Sequence, residues 1–225
     1  MSEHPAMAGE GEIMIRILMI DDHVIVRQGL IQLLTILLHD KVEFDEVSTG
    51  QEGLDKVSGG KYDLVLLDIS LPGRNGLDIL RQIRQMHPKL PVLVLSMYPE
   101  EQYSVRALRA GAYGYITKAS AADELRSAVE TVLRGEKYVP PSQAILLADA
   151  ISDNHESADL HHLLSDREYQ FACMLTSGKT MTQIAQELNL SVKTISSYRT
   201  RVLEKLQLKT NADIINYCIT NGIAL

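Results

Sequence analysis

A run of four apolar residues, Leu64-Val65-Leu66-Leu67, ends abruptly in a carboxylate, Asp68, and the turn Leu71-Pro72-Gly73 follows close behind. Bounded by polar residues, such a run reads as a short strand buried on both faces, as in the middle of a parallel sheet. Three other segments end in the same way. Ile13 to Ile20 is apolar apart from Arg16 and stops at Asp21-Asp22; Pro91 to Leu95 stops at Ser96; Tyr113 to Ile116 stops at Thr117-Lys118. Helical patterns separate these strands, the order expected of a βαβ sheet whose strand ends share one edge. In open α/β sheets that edge carries the ligand crevice. The sequence thus brings three carboxylates, a hydroxyl and an ammonium together.

Singly, each of these residues has a plain role: Asp22 as a helix cap, Ser96 as a turn residue, Lys118 as a solvated charge. As a group they have a chemical use. Asp21, Asp22 and Asp68 repel one another, and a hard divalent cation such as Mg²⁺ relieves that repulsion while accepting phosphate oxygens. With the cation and Lys118 neutralising an incoming phosphoryl group, the Asp68 carboxylate can act as nucleophile and form an acyl phosphate. The Ser96 hydroxyl would then donate to a phosphoryl oxygen.

This set, with the turn Leu71-Pro72-Gly73-Arg74-Asn75-Gly76, resembles the receiver domain of bacterial two-component response regulators. The resemblance implies a flavodoxin-like α/β fold with a five-stranded parallel sheet in the order 2-1-3-4-5. It implies that a sensor histidine kinase phosphorylates Asp68, that Asp22 and Asp68 bind Mg²⁺ directly together with the Ser70 carbonyl, and that Asp21 does so through water. It further implies that Ser96 and Tyr115 reorient together on activation. One departure is visible: many receivers follow the lysine with proline, whereas Lys118 precedes Ala119.

The 225 residues suffice for two domains, and 45% hydrophobic with 23% charged residues is the balance of a globular protein. No apolar run approaches the roughly 18 residues of a bilayer span, and no membrane association is expected. Residues 1–12 carry Glu3, Glu10 and Glu12 without a basic stretch, which reads as a flexible tail rather than a signal peptide. Cys173 and Cys218 form no CxxC pair, so neither a disulfide framework nor a cysteine metal site is indicated, and a cytoplasmic location follows. The net charge of −7 argues against nucleic acid until its distribution is considered. From residue 160 onward seven basic residues face five acids, a net of +2, which leaves −9 for the first 159. Two domains with different partners are expected.

The receiver is assigned to 13–138, ending after a helix that begins near Ser120 and closes at Gly135. Pro140-Pro141 opens a linker over 139–163 that carries one helical stretch, Ala144 to Ile151. From Leu164 the signals are helical. Ser165 to Glu168 is a capping box, a helix from Thr180 follows Gly178, and the turn Asn189-Leu190-Ser191 leads into a helix running to about Leu206. Two short helices joined so tightly form a helix-turn-helix pattern.

The helix from Val192 places Ile195, Val202, Leu203 and Leu206 on a core side, and Lys193, Ser196, Ser197 and Thr200 at i, i+3, i+4 and i+7 on another. Arg199, Arg201 and Lys205 flank that face. Basic groups around small hydroxyls suit a phosphate backbone on either side of a groove with close approach to base edges. Leu164 to Asn221 resembles the LuxR-type helix-turn-helix, and the whole chain the NarL/FixJ subfamily. That resemblance implies double-stranded DNA as partner, Ser196, Ser197 and Thr200 as groove readers, and Lys193, Arg199 and Arg201 as phosphate contacts. It also implies that the last helix, with Ile214, Ile215 and Cys218, forms the dimer contact. The DNA-binding domain is placed at 164–225.

The reading is a transcriptional regulator controlled by phosphorylation at Asp68 and acting as a homodimer, not an enzyme apart from single-turnover autophosphorylation. Two rivals stand beside it. A phosphatase or phosphotransferase passing through an aspartyl phosphate would need a second acid two residues on, where Ser70 stands. An interaction protein could instead respond to a partner without phosphate, although the acids at 21, 22 and 68 are intact.

Overall fold

The computed structural model describes residues 14–152 and 160–223, so the tail expected over 1–12 lies outside the described residues. Five strands, β1 (Ile15–Ile20), β2 (Val42–Val47), β3 (Leu64–Asp68), β4 (Val92–Ser96) and β5 (Gly114–Thr117), form one parallel sheet in the order β2-β1-β3-β4-β5. This is the expected order. β3 and β4 are buried along their whole length, which is why their sequences are continuous apolar runs without alternation.

Five helices cover the two faces. Leu30 and Leu34 of α1 (Val24–Leu37) join Leu125, Ala128, Val129 and Val132 of α5 (Ala121–Leu133) over one face. On the other lie α2 (Gly50–Gly59), α3 (Gly76–Met86) and α4 (Glu100–Arg109). Asn75 caps α3, its side-chain oxygen accepting from the Leu77 amide at 2.8 Å. Gly76 is fixed by space: a Cβ there would lie 2.3 Å from Ile69 Cα and 2.7 Å from the Asp68 carbonyl oxygen. Only glycine lets α3 start so close behind the strand that delivers Asp68.

The linker helix, α6 (Pro141–Ser152), begins three residues before the apolar stretch that predicted it and packs on α4. Its Gln143 is fully buried and donates to the Tyr115 carbonyl at 2.7 Å. After a short 3-10 turn at Leu160–Leu163 come α7 (Asp166–Thr176), α8 (Met181–Glu187), α9 (Val192–Lys205) and α10 (Asn211–Thr220). Capping boxes open α7 at Ser165/Glu168, α8 at Thr180/Gln183 and α10 at Thr210/Asp213.

The two halves share one core. Tyr103 of α4 meets Tyr169 of α7 edge to face at 5.4 Å, and the Arg106 guanidinium lies 4.0 Å from the centre of the Tyr169 ring. Asp166, nearly buried, pairs with Arg81 at 2.7 Å and Arg106 at 3.1 Å. The turn behind Asp68 joins in: the Gly73 amide donates to Leu188 O at 3.2 Å, and Arg167 donates to Gly73 O at 2.8 Å.

Candidate functional site

Strand register assembles the pocket. Ile20 of β1 sits opposite Leu67 of β3, so the next residue of each, Asp21 and Asp68, emerges side by side at the sheet edge. Asp68 in turn lies opposite Leu95, and Ser96 opposite Thr117, with the Lys118 amide donating to Ser96 O at 2.7 Å. Asp21, Asp22, Asp68, Ser96 and Lys118 are therefore adjacent, as their spacing predicted.

Asp68 is almost completely buried, at 1% exposure. Lys118 Nζ donates to its Oδ2 at 2.6 Å and the Ser70 amide to its Oδ1 at 2.7 Å. Burial raises the Asp68 pKa; Lys118 and the Ser70 amide oppose that rise, while neighbouring Asp21 adds to it. Lys118 also stands 2.7 Å from Asp21 Oδ2. Burial works against the Lys118 charge, but the two carboxylates outweigh it and raise its pKa. One buried ammonium thus holds two buried carboxylates.

The carboxylate set fits a divalent cation. Donor atoms of Asp21, Asp22, His23 and Asp68 all lie within 4.8 Å of one another. Asp21 Oδ2 and Asp22 Oδ1 are buried yet accept no aligned hydrogen bond, although Lys118 and His23 approach them at 2.7 and 2.9 Å. Buried acceptors left over by the protein are what a hard cation with oxygen preference takes up. Asp22 is not a helix cap: His23 occupies that position before α1 and makes no side-chain cap bond. His23 escaped the sequence reading, its only signal being that it follows Asp22. Its Nδ1 lies 3.3 Å from Asp21 and 3.8 Å from Asp68.

Ser96 is fully buried and its Oγ accepts from the Tyr98 amide at 3.1 Å. Tyr115 is fully buried as well, and its hydroxyl donates to Tyr98 O at 2.7 Å.

In the helical domain, α9 turns Ile195 and Val202 into the core and leaves Lys193, Ser196, Ser197, Thr200 and Arg201 exposed. The Ser197 and Thr200 hydroxyls donate back to the carbonyls of Lys193 and Ser196, both at 3.1 Å, which keeps their oxygens outward as acceptors. Arg199 differs from its neighbours: it is half-buried and donates to the Asn211 side chain, so it braces α9 against α10. The expected dimer residues are mostly interior. Ile214 and Cys218 are fully buried in the bundle and Ile215 is half-buried; the exposed apolar side chain of α10 is Ile219, at 59%. Helical periodicity marked the inner stripe of this helix, and that stripe is satisfied within the chain.

A profile described as "Response regulator receiver domain" matches residues 17–130, and one for "Bacterial regulatory proteins, luxR family" matches 162–218. The response regulator GacA of Pseudomonas viridiflava is 33% identical over 210 residues, covering 93% of this chain and 98% of that protein. The oxygen regulatory protein NreC of Staphylococcus carnosus is 33% identical over 211 residues, covering 91% and 96%. Among solved structures, RcsB from Salmonella enterica serovar Typhimurium, bound to a promoter in the presence of a phosphomimetic, is 25% identical with a TM-score of 0.55, covering 90% of this chain and 97% of that one. Both domain profiles match in order, and the likeness to these relatives runs along nearly their full length: this chain belongs to the response regulators that join a receiver domain to a LuxR-type DNA-binding domain.

Proposed function

We propose that Asp68 accepts a phosphoryl group from a sensor histidine kinase in a Mg²⁺-dependent, single-turnover step, and that the modified chain pairs into a homodimer on double-stranded DNA to control transcription in the cytoplasm. The observation that carries this reading is the burial of Asp68 at a strand end with Lys118 2.6 Å from its Oδ2. A carboxylate so enclosed and paired is placed for chemistry rather than solubility.

In the transfer, a carboxylate oxygen of Asp68 forms a bond to phosphorus while the bond from phosphorus to the donor nitrogen or oxygen breaks, the electron pair leaving with the donor. Lys118, already between two carboxylates, follows the charge onto a phosphoryl oxygen. Asp22, Asp68 and the Ser70 carbonyl would hold the cation directly and Asp21 through water, its charge offsetting the phosphoryl oxygens. Ser96 would supply a hydroxyl donor to the same group. The division into receiver (13–138), linker (139–163) and DNA-binding domain (164–225) is supported by the sheet ending with α5 and by the capping box at Ser165.

On DNA, Ser196, Ser197 and Thr200 would face base edges while Lys193 and Arg201 meet phosphates, with Arg199 holding α9 at its angle. A dimer contact along α10 would rest on Ile219 instead of Ile214 and Cys218, and would set two recognition helices one DNA turn apart, about 34 Å.

Wild-type protein treated with a small-molecule phosphodonor and Mg²⁺ is expected to shift on a Phos-tag gel, and Asp68→Asn or chelated samples are not. An unshifted wild type, or an Asp68→Asn variant that shifts equally, would overturn the assignment.

A further inference from the structure

His23 takes no part in the phosphoryl transfer, yet its imidazole stands among the carboxylates. Its Nδ1 lies 2.9 Å from Asp22 Oδ1, 3.3 Å from Asp21 Oδ1 and 3.8 Å from Asp68 Oδ2. Local structure holds it there. His23 fills the N-cap position of α1 with extended backbone, where a side chain ordinarily turns back to bond the first helical amides. The imidazole makes no such bond, and the His23 amide instead donates to Asp21 Oδ1 at 2.8 Å. The ring is left over the mouth of the pocket, with 51% of the side chain exposed to whatever enters.

These spacings suit ligands of one ion. Around an octahedral cation with bonds of about 2.0–2.1 Å, neighbouring donors lie about 3 Å apart and opposite donors about 4 Å. The three separations from Nδ1 match that range. Asp22 Oδ1 and His23 Nδ1 approach to 2.9 Å without an aligned hydrogen bond, and the buried Asp22 oxygen has no other partner. Two donors so close and not bonded to each other are turned toward a shared third point. Asp21 Oδ2, on a residue only 2% exposed, is likewise left without an aligned hydrogen bond.

We infer that His23 is a specificity-determining ligand, whose nitrogen beside Asp22 and Asp68 makes this pocket prefer a divalent transition ion to Mg²⁺. The inference rests on the divalent-cation reading of the same pocket and narrows the class of ion. Mg²⁺ takes oxygen ligands and keeps its waters, so it is held by the carboxylates and gains little from an imidazole. First-row transition ions accept imidazole nitrogen, with affinity rising from Mn²⁺ through Co²⁺ to Ni²⁺. One side chain at the pocket mouth thus adds affinity for one class of ion and not for the other.

The full chain, without phosphodonor, is loaded with Mn²⁺, the bound ion is counted by its EPR signal, and Co²⁺ or Mg²⁺ is added until half is displaced. The ratio of the two displacing concentrations is the selectivity. His23→Ala is expected to lower the preference for Co²⁺ about tenfold or more, since even loss of a group that only orients a ligand costs that much. The Mg²⁺ concentration should change by less than about twofold, because water can stand where the imidazole stood. His23→Asn keeps an oxygen and a favourable N-cap, and its Co²⁺ preference should fall with that of His23→Ala, which separates a lost nitrogen from a weakened start of α1. Pulsed EPR of Mn²⁺-loaded wild type should show nitrogen modulation from the imidazole that both variants lack. Equal Co²⁺-to-Mg²⁺ ratios in wild type and His23→Ala, or a wild type without nitrogen modulation, overturn the inference and leave the Mg²⁺ reading in place. A wild type that holds neither Mn²⁺ nor Mg²⁺ overturns the cation reading itself, and the inference with it.

Discussion

The Asp68 pocket and the outer face of α9 are built on opposite plans. Around Asp68 the charges are enclosed and answered at short range, with Lys118 between Asp21 and Asp68 and its side chain only 3% exposed. On the outer face of α9, Lys193, Ser196, Ser197, Thr200 and Arg201 are displayed to solvent, and the Ser197 and Thr200 hydroxyls bond to carbonyls of their own helix. A group that must react is fixed by several partners, whereas a surface that must meet a long polyanion needs only to be presented. Damage to the first region should therefore appear as lost stability, and damage to the second as lost binding with the fold intact.

The sharpest way to break this contrast is Lys118→Met. It strands two buried carboxylates and is expected to cost about 3–5 kcal/mol of stability without metal, measured by urea unfolding, with added Mg²⁺ recovering part of the loss. Next comes Gly76→Ala, where the new methyl meets backbone atoms of Asp68 and Ile69 at 2.3–2.7 Å. Overpacking of this kind costs about 1–3 kcal/mol, and the melt of the receiver should move while the DNA-facing helix keeps its structure.

Glu168 gives a smaller effect with a definite sign. Burial alone would raise its pKa, but Lys205 at 2.6 Å and the amide and hydroxyl of Ser165 outweigh burial and hold it below the usual glutamate value. Since the folded pKa lies below the unfolded one, the stabilisation is present above the ordinary glutamate range and is lost as pH falls through the lower, folded value. Acid titration of wild type against Glu168→Gln should show wild type losing about 1 kcal/mol of advantage in that window, and identical acid profiles would argue against the clasp between α7 and α9. Smallest in stability is Lys193→Ala, within about 0.5 kcal/mol. Its mark is on DNA: affinity falls similarly across sequences, and the salt dependence of binding loses about one unit of slope.

How far the sequence could be read depended on how local each signal is. β3 and β4 were legible because buried parallel strands are uninterrupted apolar runs. β2 leaves a weaker trace in the sequence, because Glu43, Asp45 and Glu46 interrupt the apolar residues of this edge strand. Asp21, Asp22, Asp68, Ser96 and Lys118 were found because each closes a strand, and strand ends of one parallel sheet converge. The interior position of Ile214 and Cys218 was not legible, since helical spacing marks an apolar stripe without saying what covers it. Tyr115 gave the same difficulty: its place in the chain does not say where its ring points, which is recorded only in its burial and in the bond from its hydroxyl to the Tyr98 carbonyl. The pairing of Asp166 with Arg81 and Arg106 joins residues 85 and 60 positions apart, and no local pattern records it.

The central claim is that an enclosed carboxylate governs how an open helix meets DNA. Its most direct test is the DNA affinity of wild type and Asp68→Asn, side by side at one salt concentration, with and without phosphodonor and Mg²⁺. The account predicts that phosphodonor tightens binding of wild type and leaves Asp68→Asn unchanged; equal affinities for both proteins under both conditions would contradict it.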